Sequence, residues 1–162
     1  MGGAGSIVLG VTGHRVLPDA AELAHQVDDA IDDLAGDRTV HLLTSLAEGA
    51  DRVVAHRVLA RDGGTIEALL PLEVDDYEAD FADEASIDDF RALLAGAERT
   101  EVVTGPTRTA AYEAAGFAVV DRSEALLALW DGRPARGAGG TAHVVARAQH
   151  LGRPVRVVAV DR

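Results

Sequence analysis

The 162-residue chain contains no cysteine and no lysine, and only 4% of it is aromatic. Without cysteine there are no disulfides and no thiolate chemistry, which fits a reducing cytoplasm. Without lysine there is no Walker-type phosphate loop, and all 15 basic residues are arginine, as GC-rich bacterial coding favours. Positive charge is also scarce. A net charge of −12 and few aromatic rings argue against a nucleic-acid or anionic-membrane surface, though arginines can still converge in a local basic pocket. No apolar run is long enough to span a bilayer. Met1-Gly2-Gly3-Ala4-Gly5 lacks the basic start and apolar stretch of a signal peptide and reads as a flexible tail. No G-x-S-x-G elbow, no H-E-x-x-H pair and no G-x-G-x-x-G after the first strand is present, so a standard NAD site is not expected. The six histidines show no metal-ligand spacing, and neither a metal nor a cofactor is expected.

What the chain does have is a regular alternation of short apolar runs and helical stripes. Ser6–Thr12, Val40–Thr44, Thr65–Leu70, Glu101–Val103, Glu124–Trp130 and Val155–Val160 read as strands. Between them lie helical patterns. The first opens at Asp19 with Glu22 completing a capping box, carries Leu23, Val27, Ile31 and Leu34 on one stripe, and ends at Gly36-Asp37. Others run over 47–61, 107–121 and 141–151. Strands that alternate with helices of this length form right-handed βαβ units, and unbroken apolar strands are those buried on both faces. The expected fold class is α/β: a Rossmann-like, open, mostly parallel sheet with helices on both faces, in one domain over 1–162. Residues 73–99 break the rhythm; they read as an acidic helical excursion on the surface, with a helix capped by Ser86 and carrying Ile87, Phe90, Leu93 and Leu94.

In open parallel sheets, ligands bind beyond the carboxyl ends of the strands. Two glycine-bearing turns fall there. One is Thr44-Ser45-Leu46-Ala47-Glu48-Gly49-Ala50-Asp51-Arg52, the other Gly137-Ala138-Gly139-Gly140-Thr141. Each feeds a helix whose first N–H groups have no intrahelical partner, and with the helix dipole these make an anion site. Gly13-His14-Arg15 ends the first strand, where glycine permits close backbone approach and arginine offers a planar fork of donors. Trp130-Asp131 ends the fifth. Ser45 can donate and accept at its helix start, and Glu48 suits a ribose diol or an amine. Glu48 and Asp51 also fit the plain role of first-turn acids that complement a helix dipole. The single Trp130 equally fits core packing.

Taken in order, Thr12–Arg15, Ser45–Arg52, Asp121-Arg122-Ser123, Trp130-Asp131-Gly132 and Gly137–Thr141 resemble the SLOG superfamily of Rossmann-like nucleotide-binding domains. That group includes the LOG-type phosphoribohydrolases, the DNA-processing protein A domain and ligand-sensor domains of bacterial conflict systems. The resemblance implies a pocket for a nucleotide or an ADP-ribose-like molecule and assembly as a homodimer or higher homo-oligomer. It places Gly13, His14 and Arg15 in the first-strand turn, Ser45, Glu48 and Gly49 in the second, and a phosphate on Gly139, Gly140 and Thr141. The phosphoribohydrolase motif P-G-G-x-G-T-x-x-E is incomplete, because the proline is missing and Thr141 is followed by Ala142, His143 and Val144 with no acid at the expected place. N-glycosidic cleavage needs such a carboxylate. The expectation is therefore a cytoplasmic domain that binds a nucleotide-derived small molecule as a sensor or regulatory module. The rival is a LOG-type hydrolase cleaving a base from a nucleoside 5′-monophosphate. It would use Glu48 or Asp51 as acid/base and Arg15 or Arg52 as phosphate clamp.

Overall fold

Parallel strands need long crossovers, and each crossover helix has one apolar stripe to bury against the sheet. The computed structural model, which describes residues 5–17, 20–134 and 140–161, shows that arrangement. The elements are β1 (Ser6–Gly13), α1 (Ala20–Ala35), β2 (Thr39–Thr44), α2 (Ala50–Leu59), β3 (Thr65–Leu70), α3 (Val74–Glu78), α4 (Glu84–Ala95), β4 (Arg99–Val102), α5 (Arg108–Arg122), β5 (Ala125–Trp130), α6 (Thr141–His150) and β6 (Val155–Ala159). The six strands form one sheet in the order β4-β3-β2-β1-β5-β6. Every pairing is parallel, with Leu9 of β1 opposite Leu42 on one side and Ala125 on the other. The fold is α/β and Rossmann-like. The chain builds outward from β1 to β4, then returns to add β5 and β6, so the order reverses between β1 and β5.

Helices α1 and α2 cover one face and α5 and α6 the other. The larger core lies under α1 and α2, where Leu23, Val27 and Ile31 meet Leu9, Leu42 and Leu127. Across the sheet, Leu126 and Ala128 pack against Val144, Val145 and Ala148 of α6. Burial on both faces explains why β5 reads as an unbroken apolar run. Gly36, at φ 58°, closes α1. The capping residue read at Asp19 and residues 1–4 of the tail lie outside the described residues.

Most elements end within a residue or two of the sequence reading, with β4 at Arg99–Val102 rather than Glu101–Val103, and two helix starts differ in ways that bear on the site. Helix α2 starts at Ala50 rather than Ala47, because Leu46 and Gly49 take φ values of 55° and 85° that no right-handed helix contains. Helix α4 is capped by Asp83, whose side chain accepts the Ser86 N–H at 2.9 Å, so Ser86 sits inside the helix with its hydroxyl free for other work.

The 73–99 stretch is acidic outside and aromatic inside. Tyr77 and Phe90 are fully buried, and with Phe81 they pack edge to face at ring separations of 4.9–5.6 Å. Tyr112 of α5 joins them at 5.9 Å, which gathers four of the chain's six aromatic rings into one cluster beside the sheet's carboxyl edge. Periodicity is absent from the sequence here because α3 is only five residues long and cannot show a repeating stripe. Among the described residues, no helix is long and apolar enough to cross a membrane.

Candidate functional site

The reversal of strand order leaves the carboxyl ends of β1, β2 and β5 without a crossover helix above them. A cleft of about 450 Å³ opens at this point. The β1 end supplies Thr12, Gly13, His14 and Arg15, the β2 turn supplies Ser45 and Asp51, and β5 supplies Trp130. Gly140 and Thr141 at the start of α6 form the opposite rim, and Ala115, Gly116 and Val119 of α5 line the apolar wall.

Glycine is required at two positions by close approach. A Cβ on Gly13 would lie 2.4 Å from Ala50 Cβ and 2.6 Å from the Leu129 carbonyl oxygen, so β1, β5 and α2 could not converge. A Cβ on Gly49 would stand 2.3 Å from the His14 carbonyl oxygen, at a backbone φ of 85° that glycine alone adopts easily. His14 then ties the three elements together. Its N–H donates to Leu129 O at 3.2 Å, and its carbonyl accepts the Ala50 N–H at 3.0 Å. Its Nε2 accepts the Asp131 N–H at 3.1 Å.

The first-turn acids separate by location. Asp51 lines the cleft, is 7% exposed, and through one oxygen accepts the Thr44 hydroxyl and the Ser45 N–H, each at 3.0 Å. Burial pushes its carboxyl up to about 6, against the opposing effect of those donors, the Ala47 N–H and the Arg15 charge. Glu48 turns the other way. Its Oε2 accepts the Ala82 N–H at 3.0 Å and the Ser86 hydroxyl at 2.5 Å, which fastens the turn to α4. Arg52 is likewise outside the cleft. It is buried, donates to Leu46 O at 3.0 Å and to the Ser86 carbonyl and hydroxyl at 2.8 Å, and lies 4.4 Å from the Phe81 ring centre. Of the three acid/base or clamp candidates at this turn, only Asp51 faces the cavity.

Arg15 is exposed in the cleft with its guanidinium 5.0 Å from the Tyr112 ring centre. Tyr112 hydrogen-bonds Asp80, and burial together with that carboxylate pushes its phenol up to about 12. Trp130 donates its indole N–H to Arg133 O at 3.0 Å and presents a half-buried ring to the cavity. Asp131 stands behind it, its carboxylate accepting the Arg133 N–H at 2.9 Å and lying 3.4 Å from His14 Nε2. Gly140 is the N-cap of α6, and among the described residues no side chain caps that helix. Gly49 shapes the turn from behind without lining the cavity, while Gly137 and Gly139 lie outside the described residues.

Sequence reasoning missed Tyr77, Tyr112 and Arg133 as cavity residues. Tyr77 sits in the stretch without periodicity, and the helical position of Tyr112 fits core packing equally well. Arg133 follows Trp130-Asp131-Gly132 closely enough that the end of β5 was the available signal.

This geometry and topology define a Rossmann-like α/β domain with a cleft at the point where its strand order reverses. Neither a family model nor a curated protein matches the sequence. Among solved structures, DNA processing protein A (DprA) from Streptococcus pneumoniae is similar with a TM-score of 0.64 and 18% identity, over 94% of this chain and 50% of that one. The chain thus spans about half the length of that protein. The protein TM1055 is similar with a TM-score of 0.54 and 18% identity, over 92% of this chain and 72% of that one. At these identities the likeness is one of fold.

Proposed function

We propose that the cleft binds a nucleotide-derived small molecule, a nucleoside phosphate or an ADP-ribose-like ligand, and that the domain acts as a sensor or regulatory module. The observation that carries this reading is the meeting of Arg15, Ser45 and the glycine-capped N-terminus of α6 around one cavity. Arginine and free helix N–H groups are the donors that phosphate takes. A cavity of about 450 Å³ has the size of small-ligand sites, and Trp130 and Tyr112 offer rings for a base or sugar. The outward turn of Glu48 and the absence of an acid after Thr141 support binding over turnover.

One observation favours a second reading. Asp51 is a cavity carboxyl whose proton affinity has been raised toward neutrality, as hydrolytic acids require. It would serve a LOG-type hydrolase cleaving a base from a nucleoside 5′-monophosphate. The name of DprA speaks of DNA processing; for this chain, a net charge of −12 disfavours a nucleic-acid partner. A homo-oligomer and a cytoplasmic site complete the proposal.

Incubation with AMP, other nucleoside monophosphates and ADP-ribose separates the readings. A thermal shift without release of free base supports the sensor; release of base supports the hydrolase; no response to any of them removes both. Arg15→Ala should weaken nucleotide affinity about tenfold or more, as loss of a charge-assisted contact does. Its melting temperature should hold, because the side chain is exposed. Unchanged affinity in Arg15→Ala and Gly140→Asp would end the binding proposal.

A further inference from the structure

Arg15 stands in a turn that gives it little support of its own. It is exposed at the mouth of the cleft, and the next residue, Val16, is 78% exposed. A free arginine samples many rotamers, and ordering it on binding subtracts from affinity. Support comes from across the cleft. Arg108 and Tyr112 lie four residues apart on α5 and so share one face of that helix. Both reach the carboxylate of Asp80, in the turn between α3 and α4. Arg108 donates from Nε to Asp80 Oδ2 at 3.1 Å and from Nη2 to Oδ1 at 3.0 Å, and the Tyr112 hydroxyl donates to Oδ2. Arg108 also donates to the Asp76 carboxylate at 3.2 Å and to its carbonyl at 3.0 Å, which ties α5 to α3. Tyr77 packs against the Tyr112 ring at 5.9 Å. The phenol is therefore held at its tip and by a neighbouring ring, and over it lies the Arg15 guanidinium, 5.0 Å from the ring centre.

We propose that Tyr112 is a positioning residue: anchored by Asp80 and Arg108, its ring holds the Arg15 guanidinium in the cleft, ready for an anionic group of the ligand. The inference rests on the reading of the cleft as a nucleotide site. It also gives residues 73–99 a part in that site, because Asp76 and Asp80 supply the anchor. Asp76, Asp80 and Arg108 stand outside the cavity lining, whereas Arg15 and Tyr112 belong to it. The anchor thus acts through the tyrosine.

The chemistry of the brace suits the task. An aromatic face attracts a guanidinium while keeping donors available at its edge. A carboxylate in the same place would pair with it bidentately and occupy the fork that a phosphate needs. Asp80 is the nearby acid that could do so, and its oxygens are taken up by Arg108 and the phenol instead.

The test uses the whole chain and ADP-ribose. Calorimetry compares the wild type, Tyr112→Phe, Tyr112→Leu, Arg15→Ala and the Arg15→Ala, Tyr112→Leu double variant, with a melting temperature taken for each. Tyr112→Leu should weaken affinity about fivefold, and Tyr112→Phe, which keeps the ring and loses the bond to Asp80, about twofold. In the Arg15→Ala background the leucine should cost less than about 1.5-fold, since the group it would misplace is gone. In the ligand-free protein, proton NMR should find the Arg15 side chain shifted upfield by the ring in the wild type and Tyr112→Phe. Those shifts should vanish in Tyr112→Leu and shrink in Asp80→Ala. Unshifted Arg15 protons in the wild type overturn the proposal. So do equal losses of affinity in both backgrounds, which would mean that Tyr112 touches the ligand itself or acts only through the fold. If ADP-ribose does not bind the wild type, the nucleotide reading fails for that molecule, while the Arg15 shifts still decide whether the brace exists.

Discussion

Replacing Asp51 by asparagine should make the protein more stable at neutral pH. The carboxyl is raised from 3.8 to about 6 in the folded state, about 2 units, and each unit is worth about 1.4 kcal/mol. The folded state therefore holds this proton more tightly than the unfolded chain. Its contribution is fully favourable below pH 4 and is lost as pH rises through 6, leaving a penalty of roughly 3 kcal/mol above that point. Asparagine escapes the penalty, but its amide replaces one acceptor oxygen, a loss of about 1 kcal/mol for a hydrogen bond left poorly made. The net gain at pH 8 is about 2 kcal/mol, or about 4–8 °C in melting temperature for a chain of this size. Urea unfolding of both proteins at pH 8, 6.5, 5 and 4 measures it. The advantage of Asp51→Asn should shrink steadily below pH 6 and reverse by pH 4. A difference between the two proteins that stays constant across this range refutes the reasoning, because it would mean that Asp51 titrates as it does in the unfolded chain.

Gly140→Asp should separate stability from affinity. An aspartate N-cap on the glycine-capped α6 stabilises it by a few tenths of a kcal/mol, yet its charge repels a phosphate at the same rim. The melting temperature should hold or rise slightly while calorimetric nucleotide affinity falls about tenfold or more. Gly49→Ala should lower the urea midpoint by the equivalent of roughly 2–4 kcal/mol. Its Cβ would meet the His14 and Arg15 carbonyl oxygens at 2.3 and 2.4 Å in a backbone conformation that disfavours any side chain. A Gly49→Ala protein as stable as the wild type would show that the β1 and β2 turns can separate.

The strands were legible because burial on both faces leaves a continuous apolar run, as in Ala125-Leu126-Leu127-Ala128-Leu129. The site's location was legible for a topological reason: in a doubly wound sheet the carboxyl ends at the reversal point are open whatever the side chains are. The roles of Glu48 and Asp51 were harder to read, because they depend on where α2 begins. Moving that start from Ala47 to Ala50 puts Glu48 in the turn, pointing to α4, and leaves Asp51 in the helix's first turn against the cavity. The signal for the shift is a leucine in a left-handed conformation, which no propensity favours. Tyr77, on the short α3, and Tyr112, on α5, reach the cavity through the packing of α3 against α5, and no local pattern announces that.

The joint between the β2 turn and α4 also bears on how this chain can diverge. Ser86 takes hydrogen bonds from Arg52 and gives one to Glu48, with Arg52 stacked on Phe81 behind them. A lineage that loses the serine hydroxyl leaves a buried guanidinium and a carboxylate each short of a partner, and replacing the arginine strands the leucine it holds. Glu48, Arg52 and Ser86 should therefore be exchanged for another solution together rather than one at a time. Single steps through that triplet should be rare among descendants even where the surrounding acidic surface drifts freely.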